Sequence, residues 1–297
     1  MKTISLVLGS GGARGLAHIG VIRYLEANGY QIKSISGSSA GALIGGVYAA
    51  GKLDEFEEWV LEIRKIDMVR LLDISWSGGG FFRGDKFINT LIKLVGTQNI
   101  EDLPIKFTAV AADIKNEKEV WLNSGDLFQA IRASISLPLF FTPLDRNGAK
   151  LIDGGVLNPV PIAPTFGDNT DMTIAVNLGG QVDPNLNPKP DKTPKDRIKV
   201  DNDSPMRLKI ANYIQRMQRN RNQKGELDWG MYDVANQAFE SMQSGLAKQK
   251  LAAYPPDHTI EIPRNACRTL EVDRAEEMIE LGLSRTEAYF AGLVASK

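Results

Sequence analysis

Short apolar runs with a two-residue or unbroken pattern alternate along the chain with longer stretches whose apolar residues recur every three to four positions. Thr3 to Leu8 reads as a buried strand, Leu16 to Asn28 as a helix ended by Gly29, Ile32 to Ile35 as a second strand, and Ala40 to Ala50 as a second helix. Helical spacing returns over Asp54 to Leu72, with Asp54 as the expected N-cap, and over Gly84 to Val95. Ile105 to Val110, Glu119 to Leu122, Lys150 to Ile152, Met172 to Asn177 and Thr259 to Ile262 are the further expected strands. Asp126 to Ala133, Met206 to Lys250 and Val272 to Ala295 are the further expected helices. Strands alternating with helices predict an α/β class of three layers, α/β/α, with a mainly parallel central sheet.

Between Gly179 and Pro205 the apolar pattern stops, and Pro, Asn, Asp and Lys take over, which predicts a flexible solvated loop. The expected organisation is one domain over 1–297, with the chemistry inside 4–178, the loop at about 179–205 and a helical C-terminal part from about 206 to 297.

Composition narrows the function classes. Among 297 residues, 35 basic and 36 acidic side chains leave a net charge of -1, so the chain as a whole has no attraction for nucleic acid. A single cysteine, Cys267, leaves no disulfide framework or cysteine metal cluster. The apolar run at the N-terminus is too short for a secretory signal, and no stretch approaches the length of a transmembrane helix. The expectation is a cytoplasmic protein, at most peripheral at a membrane.

The most informative motif is Gly37-Ser38-Ser39-Ala40-Gly41, placed between an expected strand and an expected helix. A serine at so sharp a strand-to-helix turn is lifted clear of the backbone, and small neighbours are needed around it. Ser39 is the candidate nucleophile. Upstream, Gly9-Ser10-Gly11-Gly12-Ala13-Arg14-Gly15 joins the first strand to the first helix, and amides in such a loop favour negative charge. A dinucleotide site is one use for them, but Arg14 stands where a third glycine belongs and the second strand ends in the serine turn. Read with Ser39, the amides of this loop form an oxyanion hole, aimed at the charge that develops when serine attacks an ester carbonyl.

A serine nucleophile needs a base. The chain has two histidines, His18 and His258, and the order Ser39, Asp153, His258 matches a hydrolase triad. Against that triad, only one strand precedes the serine strand. Leu151-Ile152-Asp153-Gly154-Gly155 offers the better base, an aspartate ending a strand in a turn that glycines permit.

Together the three motifs resemble the patatin-like phospholipase family, in particular its small bacterial members. The G-G-x-R-G loop matches Gly11 to Gly15, the G-x-S-x-G elbow matches Gly37 to Gly41 and the D-G-G motif matches Asp153 to Gly155. The likeness covers about Ile4 to Leu178, with a further stretch over Thr269 to Ala275. Ser10 departs from it, because many members have glycine there. The resemblance implies a patatin-like fold and a phospholipase A or lysophospholipase type of lipid esterase. It implies a Ser39–Asp153 dyad without histidine, an oxyanion hole of the Gly11, Gly12, Ala13 and Arg14 amides, no cofactor and no metal. A non-catalytic lipid-binding regulator on the same fold and a Ser-Asp-His esterase using His258 are the alternatives.

Three segments bear on lipid. The apolar, proline-broken run Ile131 to Pro143 is expected to wall an acyl pocket, and Ser75 to Arg83, rich in glycine and aromatics, to form a flap. Met206 to Lys224 carries six basic residues and no acidic one around an apolar stripe, which predicts a helix that binds membrane surfaces transiently.

Overall fold

The computed structural model describes residues 1–63, 82–186 and 231–295. Its strands are β1 (Lys2–Leu8), β2 (Tyr30–Ser38), β3 (Lys106–Asp113), β4 (Lys118–Leu122), β5 (Leu144–Arg146), β6 (Ala149–Asp153), β7 (Met172–Gly180) and β8 (His258–Pro263). They join into one sheet in the order β5-β6-β3-β2-β1-β7-β8, with β4 paired to β3. β3, β2, β1, β7 and β8 run parallel, while β4, β5 and β6 enter antiparallel. The chain builds from β1 through β2 to β3 on one side, then returns to add β7 and β8 on the other. The direction of winding therefore reverses between β1 and β7, and a crevice opens at their carboxyl ends.

The helices are α1 (Ala17–Ala27), α2 (Ala40–Ala49), α3 (Leu53–Glu62), α4 (Asp85–Val95), α5 (Leu127–Ser134), α6 (Met231–Ala253) and α7 (Ala275–Ala295). They cover both faces of the sheet unequally. Ile4, Leu6 and Leu8 of β1 with Ile174, Val176 and Leu178 of β7 point into the larger core, with residues of α1, α2, α5 and α7. Val7 and Ala175, at the alternate positions, pack with Val160, Ile162 and Ala247 under α6. This alternation is why the central strands read as continuous apolar runs: both faces are buried.

Several boundaries differ from the sequence reading. Helix α1 is preceded by a 3-10 turn over Gly12–Leu16. Lys52, not Asp54, is the N-cap of α3; Asp54 sits in the first turn, where its charge suits the helix dipole, and pairs with Arg23. The helix expected to reach Leu72 ends at Glu62, and 64–81 lie outside the described residues. Strand β5 was not expected. It pairs with β6 across Asn147 and Gly148, both at positive φ (51° and 80°), the conformation a two-residue hairpin turn needs. β7 continues through Gly180, two residues into the expected loop. Most of that loop, and 206–230 of the expected long helix, lie outside the described residues; the helix is described from Met231.

Candidate active site

Ser39 follows the last residue of β2 and precedes the first of α2, with φ 56° and ψ -122°. A non-glycine residue held at positive φ costs about 1–3 kcal/mol and persists only where its surroundings fix it. Here they do. The Ser39 N–H donates to Ser134 Oγ at 2.9 Å, and that hydroxyl donates to Val110 O at 2.6 Å. The turn is so tight that a Cβ on Gly41 would lie 2.0 Å from Leu8 O, and one on Gly37 2.4 Å from Gly41 O. The elbow is thus held from three strands, and the N-terminus of α2 adds a positive dipole end beside the serine.

Asp153 ends β6. It faces Ala111 on β3, whose neighbour Val110 faces Ser38 on the opposite side, so β3 sets serine and aspartate at one height. Ser39 Oγ donates to Asp153 Oδ2 at 2.5 Å, and Gly155 N–H donates to Oδ1 at 2.7 Å. Ser39 is 7% exposed and Asp153 1%. Burial pushes the aspartate from its ordinary 3.8 up to about 7, although the hydrogen bonds from Ser39 and Gly155 act the other way.

The glycine-rich loop is anchored at several amides. Gly9 N–H donates to Val176 O (3.0 Å), Ser10 N–H to Pro159 O (2.8 Å) and Ala13 N–H to Thr269 O (2.8 Å). Ser10 does not expose its amide, and its hydroxyl instead accepts from Gln243 of α6 at 3.1 Å. Ala13 leaves the set of expected oxyanion donors, because its N–H is already taken. Gly11 and Gly12, at the start of the 3-10 turn, carry N–H groups with no acceptor among the described residues, whereas Arg14, the fourth expected donor, lies inside that turn. Arg14 sends its guanidinium to the carbonyls of Arg264 (3.1 Å) and Cys267 (3.0 Å) and to Glu240 (3.5 Å), tying the loop to the C-terminal part.

A cavity of about 20 Å³ lies where these elements meet, bordered by Ser39, Gly11, Gly12, Leu137, Phe239 and Thr269 among others. Of the expected acyl wall, Leu137 alone reaches this space. Ile131 is core, Phe140 is buried against Phe82 and Phe141, and Leu139 is half exposed. Phe82, expected in a mobile flap, is 2% exposed and hydrogen-bonds Phe140 and Thr142 through its backbone; 75–81 lie outside the described residues.

Neither histidine joins Ser39. His18 is fully buried with Nε2 2.8 Å from Gly9 O, and burial pushes its pKa down to about 4, so it is a neutral N–H donor that fixes the glycine loop. His258 starts β8, in register with Ile174 of β7 and thence with Leu6 and Ile35. Three strand spacings and four residues separate it from Ser39, roughly 19 Å. Its Nδ1 meets Tyr289 Oη at 3.2 Å, and its ring packs on Phe290. Among the described residues no cluster of His, Cys, Asp and Glu is arranged to hold a metal, and no helix is long and apolar enough to cross a membrane.

Sequence reasoning placed Ser134 in the expected acyl wall and Thr269 in the family-like C-terminal stretch without their roles at the elbow and the glycine loop, and missed the α6 residues Phe239 and Gln243. They meet the site only through tertiary packing. The basic stretch 206–224 lies outside the described residues.

Residues 6–166 match the patatin-like phospholipase family. An uncharacterized NTE family protein of Mycobacterium tuberculosis is 38% identical, over 94% of this chain and 89% of its own length. Lysophospholipase NTE1 of Yarrowia lipolytica is 32% identical over 60% of this chain and 13% of its own length. VipD of Legionella pneumophila, at 14% identity, has a similar fold, with a TM-score of 0.53 over 97% of this chain and 67% of VipD. On the family match and the near full-length likeness to the mycobacterial protein, this chain belongs to the patatin-like phospholipase family.

Proposed function

We propose that the protein is a serine acyl hydrolase, a lipid esterase of the phospholipase A or lysophospholipase type, working through a Ser39–Asp153 dyad. The observation that carries this is the 2.5 Å hydrogen bond from Ser39 Oγ to a buried aspartate. Asp153 ionises with a midpoint near 7 because it is desolvated, which makes it a far better proton acceptor than an ordinary carboxylate. As Ser39 Oγ attacks an acyl ester carbonyl, its proton passes to Asp153 Oδ2. The carbonyl oxygen becomes an oxyanion held by the N–H groups of Gly11 and Gly12, with the dipole of α2 assisting. Collapse of the tetrahedral intermediate breaks the ester C–O bond, and Asp153 returns its proton to the departing alcohol. Asp153 then takes a proton from water as the hydroxide attacks the acyl-serine carbonyl; collapse of this second intermediate breaks the acyl–Oγ bond, Asp153 returns the proton to Ser39 Oγ, and the fatty acid leaves.

Lysophospholipase NTE1 relatives support a lysophospholipid substrate, and the family match supports acyl-ester chemistry in general. The test is fatty acid release from a panel of phospholipids, lysophospholipids and simple acyl esters by wild type, Ser39→Ala, Asp153→Asn and His258→Ala. Loss in the first two variants and retention in the third is expected. Loss in His258→Ala, with an unchanged melting temperature, would overturn the dyad.

A further inference from the structure

Next to the Ser39 site lies a larger cavity of about 300 Å³ that the dyad does not use. It sits at the carboxyl ends of β1 and β7, with Ser10, Asn177 and Gly179 at its base, which is where the winding of the sheet reverses. Parallel sheets commonly hold ligands at that point, because the two adjoining loops part there. Its roof is α6, whose residues Gln237, Ser241, Ser244 and Lys248 recur every three to four positions along one face. The two cavities share Ser10, Arg14, Glu240 and Gln243 on their walls, so they adjoin across the Gln243–Ser10 hydrogen bond.

The charges on the wall are unbalanced. Lys248 and Arg264 line the cavity and make no ion pair among the described residues. The carboxylate on the wall among the described residues, Glu240, is already engaged by Arg14 at 3.5 Å and by Thr269 Oγ1 at 2.9 Å. The remaining polar wall consists of hydroxyls and amides. No aromatic side chain lines the cavity among the described residues, so there is no cage of the kind that recognises a quaternary ammonium group. Free cations and hydroxyls, without a free acid or an aromatic face, suit a phosphate joined to a neutral polyol.

We propose that this cavity is the headgroup subsite, taking a phosphate-bearing headgroup with no positive charge, such as phosphoglycerol, from a lysophospholipid whose ester carbonyl lies at Ser39. The proposal rests on the reading of Ser39 as nucleophile. Lys248 and Arg264 bind the phosphate oxygens, and Asn177 and Ser244 meet the headgroup hydroxyls. The glycerol link to the acyl ester passes the Ser10–Gln243 pair.

The deciding variants are Lys248→Glu/Arg264→Glu and the milder Lys248→Gln/Arg264→Gln, each checked for an unchanged melting temperature. The first readout is the ratio of kcat/KM for lysophosphatidylglycerol to that for monoacylglycerol of equal chain length. The ratio falls about tenfold or more in the charge-reversed variant and by less in the neutral one, as expected for losing hydrogen bonds to a charged group. An unchanged ratio, or lysophosphatidylcholine preferred over lysophosphatidylglycerol by wild type, overturns the proposal. The second readout is calorimetric binding of short-chain lysophosphatidylglycerol to Ser39→Ala, which needs no turnover and separates failure of the subsite from failure of the nucleophile. Binding weakened about tenfold by the added charge reversal supports the subsite even where no ester is cleaved. Inorganic phosphate or glycerol 3-phosphate displacing the lipid completely at equal concentration points to a site for free phosphate and contradicts a lipid subsite.

Discussion

The two edges of the sheet treat polar side chains in opposite ways. At the amino edge they satisfy one another: Lys106 pairs with Asp168, which also accepts from Ser5, Asp171 accepts from Thr3, Asp257 from Thr173 N–H, and His258 meets Tyr289. At the carboxyl edge, among the described residues, the Gly11 and Gly12 amides have no acceptor and Asp153 is buried without an ion pair, while Ser39 is held at positive φ. A closed network adds a little stability and leaves nothing to react. The open edge stores backbone strain and a desolvated carboxylate, and both are costs that folding tolerates where chemistry needs them.

The sharpest way to break this contrast is Ser39→Ala, expected to lower ester hydrolysis by about a thousandfold or more and to abolish labelling by a fluorophosphonate probe. Asp153→Asn is expected to cost activity on a similar scale while improving stability at neutral pH. The sign follows from the raised pKa. Between about pH 4 and pH 7 the folded state retains a proton on Asp153 that the unfolded chain has released, so this group's contribution to stability falls as pH rises through that window. The penalty above pH 7 is roughly 4 kcal/mol at most, and Asp153→Asn removes the pH-dependent part of it. Thermal melts of both proteins at pH 5 and pH 8 check this: the wild type loses more on going to pH 8.

Gly12→Val comes next in size. Gly12 has φ 58°, and a Cβ there would lie 2.6 Å from both Cγ2 and O of Thr269. The loop must shift, with a loss of about 1–3 kcal/mol in a denaturant titration and a lowered kcat. The smallest effect is expected at the other edge. Lys106→Ala breaks an ion pair whose lysine is half exposed, and the buried Asp168 carboxylate left behind keeps its hydrogen bond from Ser5, so denaturation should register about 1–2 kcal/mol and hydrolysis no change. A large activity loss in Lys106→Ala would erase the distinction between the edges.

How far the sequence reveals this arrangement depends on how local each constraint is. The serine elbow is legible because its demands fall within five residues: Gly37 and Gly41 are where a Cβ would strike backbone. Asp153 is legible because Gly154 and Gly155 follow it directly. The support from Ser134, 95 residues from Ser39, leaves no local signal, and neither does the capture of the Ala13 amide by Thr269. Strand β5 was hidden for another reason. Three residues, Leu144-Asp145-Arg146, carry too little apolar pattern, though Asn147-Gly148 beside them is the turn signal that would have exposed it. His258 is the opposite case: chain order alone allows a triad, which the sequence reading set aside in favour of Asp153 and which strand register separates.

The central claim is that Asp153 alone serves Ser39 as base. The most direct test is the pH dependence of kcat/KM for a soluble acyl ester, measured for wild type and His258→Ala. The dyad predicts a rate that rises with pH to a plateau, with a midpoint near 7, the same in both proteins and absent in the residual activity of Asp153→Asn. A limb that vanishes in His258→Ala but survives in Asp153→Asn would contradict it.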